Sequence, residues 1–194
     1  VVALQSLVSR NTNPQDSAVI TVGSFKAGAK HNIISDEATL LLTVRSYDDA
    51  TRQMLLSGIE RIAKAQAEAF GAPEPEITIE QDYTPSLFNN ADLAETAMAA
   101  IADAIGEDNV KEVAPVMGGE DFSQFRRAAP EDVKSMIFWI SGTPQPMLDA
   151  LKHDGTSLPS LHSPFWAPDA EKVIATGAEA LASSAIDLMP RTGS

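Results

Sequence analysis

The 194-residue chain contains no cysteine. That absence removes disulfides, thiolate nucleophiles and cysteine-based zinc sites together. Histidine is scarce too: His31, His153 and His162 are the only three, so any metal must be held by imidazole and carboxylate. No run of eighteen apolar residues occurs, which excludes a membrane-spanning helix. Basic residues are few: 14 Lys and Arg face 27 Asp and Glu, the net charge is −13, and no basic cluster exceeds Arg126-Arg127. Such a surface repels phosphate backbones and anionic bilayers, so neither nucleic acid nor membrane is expected as a partner. The start Val1-Val2-Ala3-Leu4 shows no basic stretch followed by an apolar one, so no signal peptide is read and a cytoplasmic location is expected. Zero cysteine fits a periplasm equally well.

What is present suffices for a packed protein. A hydrophobic fraction of 44% and a mean hydropathy of −0.07 describe a globular chain of one large or two small domains. Val1, Leu4 and Val8 recur at helical spacing, so the chain enters in a helix. The β-branched run from Ala18 to Phe25 and the stretch Ala38–Arg45 predict two strands joined by a loop carrying His31 and Asn32. Asp48 and Asp49 introduce a helix through Phe70, with Met54, Leu55, Ile59, Ile62, Ala63 and Ala67 on one stripe and Gly71 and Pro73 as its stop. Alternation over Glu76–Asp82 predicts a third, half-buried strand. This order reads as an α+β two-layer sandwich, a ferredoxin-like unit lacking its first strand.

Tyr83-Thr84-Pro85 marks a shift in composition and is taken as a domain boundary, giving domains 1–84 and 85–194. Beyond it, Asn89-Asn90 is placed to cap a helix over Ala91–Ile105 that Gly106 ends. The apolar run within Lys134–Ser141 predicts a strand buried on both faces of an α/β sheet. A last helix runs from about Pro168 to Leu188 and is expected to bury Val173, Ile174, Leu181 and Ile186.

Chemistry-bearing residues gather in three places. In Met117-Gly118-Gly119-Glu120-Asp121-Phe122-Ser123 two glycines free the backbone to approach a ligand; a plain turn followed by acidic capping residues explains the same pattern. In Leu158-Pro159-Ser160-Leu161-His162-Ser163-Pro164 prolines on both sides hold one imidazole, as a metal ligand or as a loop histidine bonded to backbone. Arg45 ends a strand, and with the amide of Asn32 it is apparatus for a substrate carboxylate; the plainer alternative is an ion pair with Asp48 or Asp49. His153, in Lys152-His153-Asp154-Gly155, reads as a solvated loop residue.

Taken in order, Leu4–Arg10, Ala18–Gly23, Asn32-Ile33-Ile34, Thr43-Val44-Arg45, Met117–Ser123 and Leu161-His162-Ser163 resemble the M20 metallopeptidase family, in its hippurate hydrolase and N-acyl-amino-acid amidohydrolase branch. The resemblance runs over nearly the whole chain. It implies that residues 1–84 are most of an α+β lid that mediates homodimerisation, and that 85–194 are the C-terminal part of an α/β catalytic domain. By the same resemblance His162 is a metal ligand, Asn32 and Arg45 bind the substrate carboxylate, and Gly118, Gly119 and Glu120 line the substrate pocket. It implies a divalent metal centre (Zn, Mn or Ni) in the complete enzyme, not tightly bound by this chain alone, and a small N-acyl amino acid or peptide as substrate. The remaining metal ligands, the general base and the oxyanion-binding histidine are expected in a segment before Val1, and His31 is not taken as a substitute. Two other readings are an inactive fragment acting as a dimerisation module and a small amino-acid-binding regulatory domain.

Overall fold

The two β-branched-rich stretches form one antiparallel sheet. β1 (Ala18–Ala27) pairs with β2 (Ala38–Ser46), from Ala18 opposite Ser46 to Ala27 opposite Ala38. The register skips between Val22 and Ser24, so Gly23 is the extra residue of a bulge, a position that favours a residue without a side chain. The computed structural model describes residues 1–189. The chain folds into two compact units, one made of Val1–Leu87 and Pro115–Ala128, the other of Phe88–Ala114 and the chain from Ala129 onward.

In the first unit, the opening turns and a π-helical segment over Leu7–Asn11 lie against α1 (Asp49–Ala69) and β1. Helix α1 begins where the Thr51 amide donates to the Asp48 side chain at 2.7 Å; the Thr51 hydroxyl first, and then this amide, hold the Asp48 carboxyl below its ordinary pKa. Its apolar stripe faces the sheet as the heptad-like spacing predicts. Leu4, Leu7, Ile20 and Leu55 form the buried core, with Met54, Ile59, Ile62, Val22, Leu42 and Val44 packed around them. The helix ends at Gly71, whose φ of 66° suits glycine.

One glycine within α1 matters for packing rather than for the backbone. A Cβ on Gly58 would collide with Leu7 Cδ2, and both residues are buried. Gly58→Ala is therefore expected to destabilise the first unit by about 1–3 kcal/mol, as overpacked cores do, even though alanine is the better helix former. Urea unfolding monitored by far-UV circular dichroism checks this; an unchanged or raised midpoint would contradict the packing.

In the second unit, α2 (Ala91–Ile105) packs on α5 (Ala170–Leu188). The Leu93 amide donates to the Asn90 side chain at 3.1 Å, and Gly106 closes α2 at a φ of 94°. The buried residues of the two helices are Ala97 and Ile101 on α2 and the small Ala180 and Ser184 on α5. Between them lie a short helical turn at Glu107–Asn109 and α4 (Gln145–Asp154); α3 (Ser123–Ala128) belongs to the first unit.

Four expectations are corrected. Residues 76–82 form no strand, so the sheet among the described residues has two strands rather than three. Residues 134–141 likewise join no sheet; they are mostly half-buried, with Trp139 61% exposed. Their backbone is met instead by Asn89, whose side chain donates to the Ile137 carbonyl at 2.8 Å and accepts from the Ile137 amide at 2.9 Å, and by the Asn90 amide, which donates to the Ser135 carbonyl. On α5 only Val173 of the four expected residues is partly buried; Ile174, Leu181 and Ile186 are exposed because the smaller Ala180 and Ser184 permit the closer helix approach. His153 lies in the last turn of α4, not in a loop. The observed fold is α+β, and no helix among the described residues is long and apolar enough to cross a membrane.

Candidate functional site

Arg45 stands at the end of β2, opposite Val19 and exposed on the outer face of the sheet. Its Nη1 donates to the carbonyl of Met117, the residue before Gly118. Arg45 therefore meets the Gly-Gly-Glu loop directly, across 72 residues of sequence. It forms no ion pair with Asp48 or Asp49. Asp49 is engaged elsewhere: Arg127 binds its carboxylate through both guanidinium nitrogens, at 2.8 and 3.1 Å. That hydrogen bond, with the Coulombic attraction, holds the Asp49 carboxyl below its ordinary pKa and the Arg127 guanidinium above its own.

The loop is fixed by further bonds. Gly119 lies against Thr84, where an added Cβ would come within 3.4 Å of Thr84 Cγ2. Glu120 accepts from the Phe122 amide at 3.0 Å, turning its carboxylate back on the loop. Ser123 is buried, and its hydroxyl is within hydrogen-bond distance of two carbonyls, Glu120 at 2.8 Å and Pro85 at 3.0 Å. Gln124 donates to the Tyr83 carbonyl at 3.0 Å, and the Arg52 guanidinium sits 3.6 Å over the Tyr83 ring. Tyr83-Thr84-Pro85, read in the sequence only as a boundary, is thus a wall against which Gly119, Ser123 and Gln124 rest.

Asn32 is not brought to Arg45. It lies at the exposed tip of the β1–β2 hairpin, whereas Arg45 lies at its base. Nearly all of the nine-residue β2 separates them, roughly 23 Å at ~3.3 Å per residue.

His162 belongs to the second unit, in the loop between α4 and α5. The Ser163 amide donates to the Ser160 carbonyl at 2.9 Å and the Trp166 amide to the Ser163 carbonyl at 3.1 Å, so tight turns bracket the exposed imidazole. A shallow cleft nearby is lined by Met147, Leu158, Pro159 and Trp166 among others. Among the described residues no group of three or more His, Asp or Glu comes together as a metal site. A catalytic zinc takes about three protein ligands, and the described residues around His162 do not supply such a set.

The Asp49–Arg127 pair, the Arg52–Tyr83 stack and the buried Ser123 were not singled out from the sequence as a set. Their partners lie 78, 31 and 38 residues apart, and nothing local signals such pairing.

Fold and site define an α+β protein whose chemistry-bearing residues stand on loops, one of them pinned by an arginine from a strand end. Comparison with known proteins supplies the family. The model of Peptidase family M20/M25/M40 matches residues 3–183, and the chain belongs to that family. It is 31% identical over 183 residues to the N-acetyldiaminopimelate deacetylase of Streptococcus pneumoniae, covering 94% of this chain and 43% of that protein. It is 39% identical over 127 residues to the hippurate hydrolase of Campylobacter jejuni, covering 64% of this chain and 32% of that protein. The crystal structure of the Bacillus subtilis YXEP protein, a dinuclear metal binding peptidase from the M20 family, superposes with a TM-score of 0.59 at 22% identity, covering 96% of this chain and 45% of that one. The chain spans less than half the length of these relatives.

Proposed function

We propose that the chain forms part of a metal-dependent amidohydrolase acting on N-acyl amino acids of the hippurate type, or on small peptides. The observation that carries the reading is the contact between Arg45 and the loop Met117-Gly118-Gly119-Glu120 in a chain of the M20 family. A guanidinium has five donors in a planar fork. With one nitrogen on the Met117 carbonyl, the rest of the fork remains to receive a carboxylate beside a glycine-lined backbone. Both relatives named above act on N-acylated compounds by their names, which supports an amide bond as the target.

In this reading residues 1–84 are most of a lid and dimerisation domain, and 85–194 are the C-terminal part of a catalytic domain. His162 supplies one donor to a divalent metal, which when bound polarises the scissile carbonyl and acidifies water. Gly118, Gly119 and Glu120 line the substrate pocket. In a homodimer, Asn32 of a second copy would complete the carboxylate site with Arg45; the reading is supported by their places at opposite ends of the hairpin.

The test is a pair of substrates given to a polypeptide of the relatives' full length. An N-acyl amino acid with a free carboxylate is expected to exceed its methyl ester at least tenfold in kcat/KM, about 1.4 kcal/mol of differential binding. Equal turnover of acid and ester would overturn the carboxylate reading.

A further inference from the structure

We propose that Asp49 and Arg127 are positioning residues which, with Arg45, let the first unit grip the segment Pro115–Ala128 at both ends and so set the Gly118-Gly119-Glu120 loop. The loop's place at the substrate pocket rests on the function proposed above; the grip is a matter of geometry. Arg45 holds the front of the segment through the Met117 carbonyl. Asp49 holds its rear through the two-nitrogen bond from Arg127, in the last turn of α3.

The two grips come from one braced corner of the chain. Between them the Ser46 hydroxyl donates to the Asp48 carbonyl at 3.0 Å, and Asp48 in turn accepts the Thr51 amide. Strand end and helix start are thereby tied together, so Arg45 and Asp49 act from a common base. Both charges also suit their helices: an acid in the first turn of α1 and a base in the last turn of α3 each oppose the local dipole. The middle of the segment is anchored to the same unit by Ser123 on the Pro85 carbonyl and Gln124 on the Tyr83 carbonyl.

What makes this arrangement notable is its topology. The chain before Pro115, back to Phe88, and the chain after Ala128 both belong to the second unit. The segment is therefore an excursion that leaves one unit and is held by the other. Order in the loop therefore depends on groups remote in sequence.

Hydrogen exchange followed by mass spectrometry on the whole polypeptide tests the grip. Asp49→Asn and Arg127→Gln are each expected to speed amide exchange in peptides covering 115–128 at least fivefold, with peptides of α2 and α5 unchanged within twofold. The exchanged pair Asp49→Arg with Arg127→Asp should restore slow exchange. Unchanged exchange in 115–128, a rise spread equally over α2 and α5, or failure of the exchanged pair to restore it would each overturn the proposal. Because the readout is order and not turnover, a full-length polypeptide that fails to hydrolyse N-acyl amino acids would refute the hydrolase reading, while the expected exchange pattern would leave the grip intact.

Discussion

Leu55→Ala is expected to lower the unfolding free energy of the first unit by about 2–5 kcal/mol, the range for truncating a buried leucine. Leu55 is fully buried in a cluster with Leu4, Leu7 and Ile20, ringed by partly buried hydrophobic side chains. Its closest buried partners are constrained. Leu7 is already tight against Gly58 on the same helix, and Ile20 is held by its register opposite Val44. Partial collapse is therefore poor, and the cost should fall in the upper half of the range. The internal control is Leu41→Ala on the outer face of the sheet, where the side chain is 61% exposed and the expected change is within about 0.5 kcal/mol. Urea unfolding of both variants separates them; equal midpoints would show that the Leu4–Leu7–Ile20–Leu55 cluster does not hold the unit together.

Arg45→Ala in the full-length polypeptide is expected to raise KM for an N-acyl amino acid about tenfold to a hundredfold, with a smaller fall in kcat. The estimate follows from a charge-assisted bond to the substrate carboxylate, worth ~1.5–3 kcal/mol at 1.4 kcal/mol per tenfold. The variant also loses the bond to the Met117 carbonyl, so the Gly118-Gly119-Glu120 loop loosens and kcat is not wholly spared. Measuring the methyl ester separates the two effects. The ester lacks the charge and should feel only the loosened loop, so its KM should change much less than that of the acid. An unchanged KM for the acid, or an equal change for acid and ester, would remove Arg45 from carboxylate binding. Arg45→Lys is a sharper probe: lysine keeps the charge but not the planar fork that serves a carbonyl and a carboxylate together.

Much of the first unit was legible from local pattern. A β-branched run marked β1, the stretch Ala38–Arg45 marked β2, and the stripe on α1 pointed Leu55 at the core because periodicity is a local property. Helix α4 was readable too, although it was passed over: Pro146 stands at its start and Gly155, at a φ of 74°, at its end. The misread segments share a cause. Glu76–Asp82 and Lys134–Ser141 have strand-like residues, but a strand exists only where a second strand completes its hydrogen bonds, and none of the described residues do so. On α5 apolar size suggested Ile174, Leu181 and Ile186 as the buried face, whereas close helix contact selected Ala180 and Ser184.

By itself the sequence determined β1, β2, α1, α2 and α5, the core stripe of α1, the exclusion of cysteine chemistry and the candidate residues Asn32, Arg45, Gly118, Gly119, Glu120 and His162, because each depends on residue identity or short spacing. The tertiary structure decided which of these meet. Arg45 reaches the loop before Gly118, Asn32 stands a strand's length away, and Asp49 turns to Arg127 instead of Arg45. Those outcomes depend on contacts across 72 and 78 residues, where register, helix placement and the return of a distant segment act together and no local pattern records them.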